Sequence, residues 1–473
     1  MIRTLHYPDS PLRRRAALAC IAILWMLVCA QWLAHTLAYP TKLGVCLTIA
    51  CLLLPWAVLN FSRIPIYLLC VYVALVPFNS LLSVETADSG SGATGETLTK
   101  LLGIAAAGCL LLATVARRRT VTPSKAMYVL GALTVYLGLT VCWAIDSTVA
   151  FDSYRTYLNY VGLYFAIAIY PVTRKEAQLV IAATLAGAVA SAAYGAYFYW
   201  HGEHLLVSRL NIRIAGERID PNEYAVTLLT PIAISVMAFL RSRAVHKLLW
   251  FSALLVLLAG VAMSGSRGAM IAMVIMFAFL TWRSKYRLQL FAFVPLIAIA
   301  VVASPIGHRL LQSDLANADL RVDIWKVGIA SLRQYWLSGA GIGNFGNAYA
   351  QYFLAVPHET LSWNKVAHSV LLQSAVEYGL PGLLLVLAVW YTQFRVLRAV
   401  ANNDRMHDIA LALQAGVLGL FVSGLSLSLM LYKYTWLTFG LVALVRSAAL
   451  NLETANEPSL HRASSTLQAS TKA

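Results

Sequence analysis

The sequence predicts an all-α polytopic membrane protein, and three observations predict it. Sixty per cent hydrophobic residues stand against 12% charged ones. The apolar residues fall in runs of about 16 to 25, long enough to cross a hydrocarbon core roughly 30 Å thick as a helix. Basic residues recur in alternate connections, the pattern that orients a helical bundle. About 12–14 spans are expected on that basis.

The elements follow in chain order. A basic segment, residues 1–15 with Arg3, Arg13, Arg14 and Arg15, precedes apolar runs at 16–37, 42–60 and 64–84. The first run is long enough to span and has no small-residue cleavage site before its polar exit, so it reads as a retained helix rather than a signal peptide. Runs at 99–116, 126–145, 156–171 and 176–200 come next, then 222–240, 247–263, 267–282 and 288–303, completing a transmembrane block over 16–303. A second block, 379–448, holds runs at 380–399, 407–425 and 429–448. The polar, Ser/Thr-rich tail at 449–473 reads as disordered.

Charge assigns the sides. Most of the 36 Lys and Arg lie in segments that are cytoplasmic if the N-terminus is, among them Arg117–Arg118–Arg119 with Lys125, Arg174–Lys175, Arg241 to Lys247, Arg283 to Arg287 and the tail from Arg446. Both termini are therefore expected inside. The opposite connections at 85–98 and 146–152 are acidic or neutral. A net charge of +16 is then a matter of topology. Nucleic-acid binding would need a basic soluble domain, and no segment supplies one. All 7 cysteines, Cys20 to Cys142, fall in the first runs, which supports neither outward disulfides nor a zinc cage.

Two outward segments break the pattern of short, arginine-poor connections. The first, about 201–221, carries Arg209, Arg213 and Arg218, then Asp220–Pro221–Asn222 as a helix start. Arginines on the side that the positive-inside rule disfavours need a local reason. The second, 304–378, is too long for a mere connection. It contains an amphipathic segment, about 320–336, whose Leu320, Ile324, Val327 and Leu332 are expected on the membrane surface with Arg321 and Lys326 toward water or phosphate. A Gly-rich turn follows, Gly339 to Asn344. Its Gly341-x-Gly343-x-x-Gly346 matches the dinucleotide fingerprint only formally. That fingerprint works between a strand and a helix of a nucleotide-binding sheet, so a tight turn is the better reading and no nucleotide is expected.

Three further features carry chemistry. In Ser264–Gly265–Ser266–Arg267–Gly268, small residues open backbone N–H groups beside an arginine at the lipid boundary, which is either a phosphate clamp or a headgroup anchor. Lys433 is a second intramembrane cation or an interfacial anchor. His368–Ser369, followed nine residues later by Gly379–Leu380–Pro381–Gly382, stands where the long outward loop re-enters the membrane. His368 is a general base or a hydrogen-bonded helix-start residue, and Glu377 either orients that segment or caps it. Outward aromatics such as Tyr335, Trp336 and Tyr378 would stack on sugars or form an interfacial belt.

In combination, these pieces resemble the bacterial O-antigen ligase and polymerase superfamily. They are Arg213, Gly216 and Asp220–Pro221–Asn222, then Ser266–Arg267–Gly268, then Arg321 and Trp325 before the glycine run, then His368. The His368–Ser369 to Gly379 and Gly382 run is similar to one shared by O-antigen ligases and protein O-oligosaccharyltransferases, and the resemblance covers about 200–385. It implies a GT-C-like glycosyltransferase that needs no metal or other cofactor, with a large periplasmic loop region. The implied donor is an undecaprenyl-diphosphate-linked glycan and the implied acceptor is lipid A-core, at the periplasmic face of the bacterial inner membrane, in lipopolysaccharide biosynthesis. Carried onto this sequence, it makes His368 catalytic. Arg213 and Arg267 are then the first candidates to bind the diphosphate, with Arg218, Arg209 and Arg321 after them. Ser369, Glu377, Gly379 and Gly382 support the site. Membrane lipids are the remaining expected partner. An O-antigen polymerase or a protein O-oligosaccharyltransferase would use the same donor. A transporter would place ionisable residues near the midplane on broken or repeated helices, whereas here the cations gather toward one face.

Overall fold

A computed structural model describes residues 63–78, 98–117, 120–200, 221–291, 293, 295, 316–357, 365–403 and 406–470. Every regular element among them is helical. Apart from a single turn at Arg287–Phe291 and short 3-10 turns, the helices in order are α1 (Ile64–Leu75), α2 (Leu98–Arg117), α3 (Lys125–Thr140), α4 (Ser147–Ile169), α5 (Arg174–Trp200), α6 (Pro221–Arg241), α7 (Ala244–Ser264), α8 (Arg267–Arg283), α9 (Ala316–Tyr335), α10 (Phe345–Tyr352), α11 (Val370–Val400), α12 (His407–Gly424) and α13 (Lys433–Ser470). The chain divides into compact units 1–67 and 68–473. The second carries all the features described below.

Among the described residues seven helices are long and apolar enough to cross a membrane: those at 99–116, 125–143, 174–197, 222–241, 245–264, 370–400 and 407–424. The protein is an all-α polytopic membrane protein. The expected runs at 16–37 and 42–60 and most of 288–303 lie outside the described residues. Three expected spans take a different form, the first being the run at 380–399, which lies in a longer helix that begins at Val370. The run at 156–171 belongs to α4, whose polar first half, Ser147 to Asn159, extends the helix beyond its apolar part. The run at 429–448 opens α13, which continues as helix to Ser470 through the segment read as a disordered tail. Ala, Leu, Glu and Gln in that tail are strong helix formers, and local propensity prevails there over low hydrophobicity.

α6 is the central helix, with 83% of its apolar window buried. It packs on α7 and α12. Small residues set the approach, as at Gly416 of α12, where a Cβ would stand 2.7 Å from Thr230 Oγ1 of α6. Thr230 and Thr438 Oγ1 atoms lie 3.2 Å apart, so the same contact satisfies buried hydroxyls between α6 and α13.

The amphipathic segment is α9, and its apolar stripe points inward. Ile324 and Val327 are buried with Phe345, Tyr349, Ala367 and Val376, and Leu332 packs against them. The expectation that this stripe lies on the membrane surface is therefore corrected: α10 and the start of α11 cover it. The side chain of Leu320 lies outside the described residues. Exposed on α9 and just after it are Val322, Ile329, Trp336 and Leu337.

Candidate functional site

His368 stands two residues before the start of α11, just ahead of its cap Ser369, in a left-handed backbone conformation with φ 47°. Residues other than glycine adopt this uncommonly, Asn, Asp and His more often than the rest, and a residue held there costs on the order of 1–3 kcal/mol. Its neighbours hold it. Ser369 caps the helix, its hydroxyl accepting from Leu372 N at 3.4 Å and its carbonyl from Gln373 N at 2.9 Å. On the other side Trp325 Nε1 donates to the Ala367 carbonyl at 3.0 Å. Trp325 of the Arg-x-x-x-Trp segment thus holds the backbone next to His368. Arg321 lies one turn earlier on α9 and is half-buried.

The Gly-rich turn between α9 and α10 clasps α11 by its backbone. Ala340 N and Gly341 N donate to the Val376 and Glu377 carbonyls at 2.8 and 2.9 Å, and Leu380 N donates to the Trp336 carbonyl at 2.7 Å. These bonds form where α11 breaks at Gly379, with φ 66° and ψ −173°. The glycines are required by both conformation and space. Gly339, Gly341 and Gly343 have φ of 75°, 92° and 78°. A Cβ on Gly379 would stand 2.1 Å from the Leu337 carbonyl, and one on Gly343 would stand 2.0 Å from Ser153 Oγ. Gly382 lets Tyr136 approach α11 to 2.9 Å from a built Cβ, and the Tyr136 hydroxyl donates to the Tyr378 carbonyl at 2.7 Å. Pro381, just past the break, needs no helical hydrogen bond there.

Glu377 is buried to 1% exposure and binds this turn. Its carboxylate accepts from Gly343 N at 2.9 Å, Phe345 N at 3.3 Å and Gln373 Nε2 at 2.9 Å. It thereby caps α10 across the chain and joins the turn to α11. Asn344 fixes the turn's other flank. Its Oδ1 accepts from Asp146 N at 2.9 Å, and its Nδ2 donates to the Asp146 carbonyl at 3.1 Å. Asp146 in turn caps α4, accepting from Thr148 N and Val149 N. Trp143 Nε1 donates to the Ser338 carbonyl at 2.9 Å. Sequence reasoning missed Asn344 and Gln373, and treated Asp146 only as part of an acidic loop. A polar residue closing a glycine run was a signal that the turn had a partner, but nothing local named Asp146.

Arg267 opens α8. α7 ends at Ser264, Gly265 turns the chain at φ 66°, and the Ser266 hydroxyl caps α8 by accepting from Ala269 N at 3.3 Å. The arginine side chain is exposed at that helix start.

The turn between α12 and α13 relates these segments. Beside it, a Cβ on Gly268 would stand 2.8 Å from Ser426 Oγ, and one on Gly424 would stand 3.1 Å from Val370 Cγ1. From the same turn the Tyr432 hydroxyl donates to the Glu223 carboxylate in the first turn of α6. Lys433 Nζ donates to Thr99 Oγ1 at 2.9 Å, at the start of α2. The starts of α2, α6, α8 and α11 therefore meet around one turn at one end of the bundle. Arg267 and His368 flank it. The segment with Arg209, Arg213 and Arg218 lies outside the described residues, and it leads into the α6 start that meets this turn. Of the aromatics considered for sugar stacking, Tyr335 and Tyr378 are buried, while Trp336 is 55% exposed. Among the described residues no group of three or more His, Cys, Asp or Glu is placed to hold a metal ion.

Residues 251–387 match the O-antigen ligase family. The match supports membership of the O-antigen ligase superfamily, and with it an O-antigen ligase or polymerase type of function in a glycosyltransferase-like membrane enzyme. The matched segment contains Arg267, Arg321, Trp325, the glycine turn, His368, Glu377, Gly379 and Gly382. No curated protein matches the chain.

Proposed function

We propose that this member of the O-antigen ligase superfamily transfers an O-antigen glycan from undecaprenyl diphosphate to a sugar hydroxyl of lipid A-core, at the periplasmic face of the bacterial inner membrane. The observation that carries the reading is the meeting of helix starts around the α12–α13 turn, because it brings the Arg267 segment and the His368 segment to one end of the bundle within the matched family region.

The acceptor hydroxyl oxygen attacks the anomeric carbon from the face opposite the diphosphate. Its proton passes to the imidazole of His368, a side chain whose ordinary titration range lies beside neutral pH. The carbon–oxygen bond to the diphosphate breaks, the electron pair leaves with the phosphate oxygen, and the anomeric configuration inverts. Negative charge grows on the leaving group. Guanidinium groups compensate it bidentately, with no metal needed in this scheme. Arg213 and Arg267 are first in this role, with Arg218, Arg209 and Arg321 contributing. The start of α8 adds its free N–H groups beside Arg267. The polyprenyl tail stays among the apolar helices while the diphosphate reaches the arginines.

The test is a transfer assay with purified protein, polyprenyl-diphosphate glycan and lipid A-core, with a second donor molecule or an acceptor protein in parallel arms, and with neither nucleotide nor metal. Product on lipid A-core alone is expected. Elongated donor would make the protein a polymerase, and glycosylated protein would make it an oligosaccharyltransferase. No product in any arm would remove the glycosyl-transfer reading.

A further inference from the structure

Far from His368, the start of α5, the end of α6, the first turns of α7 and the start of α12 enclose a cavity of about 340 Å³. That size is in the range of small-molecule sites, roughly 300–1,000 Å³. Arg241 closes α6, whose first turn carries Glu223 beside Tyr432, so roughly 27 Å of helix separates the cavity mouth from the α12–α13 turn. The mouth lies where the apolar spans 174–197, 222–241 and 407–424 begin or end, at the level of a membrane interface.

The cavity has two chemistries. Its depth is formed by buried Ile181, Leu185, Ile234 and Met237, and its mouth by Arg174, Arg241 and Asp408, with Trp250 between. Asp408 stands 3.9 Å from Arg241 and serves that guanidinium. Arg174 forms no ion pair with a carboxylate among the described residues. The nearest acid along its own helix, Glu176, is engaged elsewhere: its carboxylate accepts from Thr173 N and Thr173 Oγ1 at 2.8 and 2.9 Å. Two guanidinium groups facing one carboxylate leave one positive charge to be matched.

A soluble anion would satisfy that charge and leave the apolar depth unfilled, and a neutral acyl chain would do the reverse. A zwitterionic headgroup would bring an ammonium that needs a carboxylate, and Asp408 already faces Arg241. We infer that this cavity binds an anionic glycerophospholipid, its phosphodiester on Arg174 and Arg241 and one acyl chain along Ile181, Leu185, Ile234 and Met237. Bidentate guanidinium–phosphate pairing fixes the head, and the chain, which leaves an equally apolar bilayer or micelle, adds van der Waals packing and selects for a lipid over a soluble anion. The site is separate from the one that carries glycan transfer.

The experiment titrates full-length protein in neutral detergent with phosphatidylglycerol, phosphatidylethanolamine or inorganic phosphate. Bound lipid is counted by native mass spectrometry, and the thermal midpoint is recorded. Phosphatidylglycerol should bind at one saturable site and raise the midpoint, while the other two do neither. Arg174→Gln should weaken phosphatidylglycerol binding about tenfold or more, the usual scale for one charge-assisted contact. Ala182→Trp, at an exposed wall of the cavity with both arginines intact, should weaken it as well. The inference is overturned if phosphatidylethanolamine binds equally, if inorganic phosphate alone reproduces the shift, or if both variants bind as the parent does.

Discussion

At His368 the backbone and the proposed chemistry make separable demands. The φ of 47° is a strain that a purely structural residue would shed by becoming glycine. His368→Gly should therefore leave stability unchanged or raise it by about 1 kcal/mol in thermal unfolding, yet lower transfer by roughly a hundredfold or more. Equal activity in that variant would reduce the residue to a helix start. Trp325→Phe isolates the neighbouring support, since it removes the indole donor to the Ala367 carbonyl and keeps most of the ring. It should cost about 1 kcal/mol in stability and lower kcat more than it raises KM. Glu377→Gln tests the clasp. Its amide can present only one acceptor oxygen to Gly343 N–H, Phe345 N–H and the Gln373 amide, so a buried donor loses its partner. A loss of about 1–3 kcal/mol is expected in chemical unfolding, and an unchanged midpoint would contradict the assigned role.

Between α9 and α11, the glycine turn shows what a local pattern can and cannot convey. Context separated it from a nucleotide fingerprint whose spacing it matches, since it follows an amphipathic segment and not a strand, and the positive φ at Gly339, Gly341, Gly343 and Gly379 is the kind of demand a glycine run announces. Gly379 and Pro381 signal a discontinuity that predicts the start of a span at 380, whereas the helix already runs from Val370 and only breaks at Gly379. Its partners were not legible. Asn344 meets Asp146 across 198 residues of chain, and no local rule supplies a contact of that separation. The apolar stripe of α9 was legible too, but a stripe says that one face is covered and not by what. A protein layer covers it here where a membrane surface was expected. Gly343→Ala tests the turn as an element. Its methyl group would collide with Ser153 Oγ and the residue would keep a φ of 78°, so a loss of more than about 1 kcal/mol is expected. Adding Ser153→Gly should recover the steric part and leave the conformational part, which a double-mutant cycle in thermal unfolding would separate.

For the whole molecule, hydropathy was sufficient to find the long spans, because lipid requires every backbone group to be satisfied within its own helix. It was insufficient to show how their ends gather, since that depends on small residues such as Gly268 and Gly424 beside the α12–α13 turn. Orientation can be read from a residue already present. Cys142 is exposed at the end of α3, next to the Asp146–Asn344 contact, on the side proposed to be periplasmic. In a protein retaining only Cys142, a membrane-impermeant maleimide should label it from outside right-side-out vesicles. Labelling only from the cytoplasmic side would invert the proposed topology. The most direct measurement of the central claim is an experimental structure with bound polyprenyl-diphosphate glycan. The diphosphate is predicted within about 4 Å of Arg267 and of an arginine among Arg209, Arg213 and Arg218, with the anomeric carbon facing His368. A diphosphate bound away from Arg267, or an imidazole remote from the sugar, would contradict it.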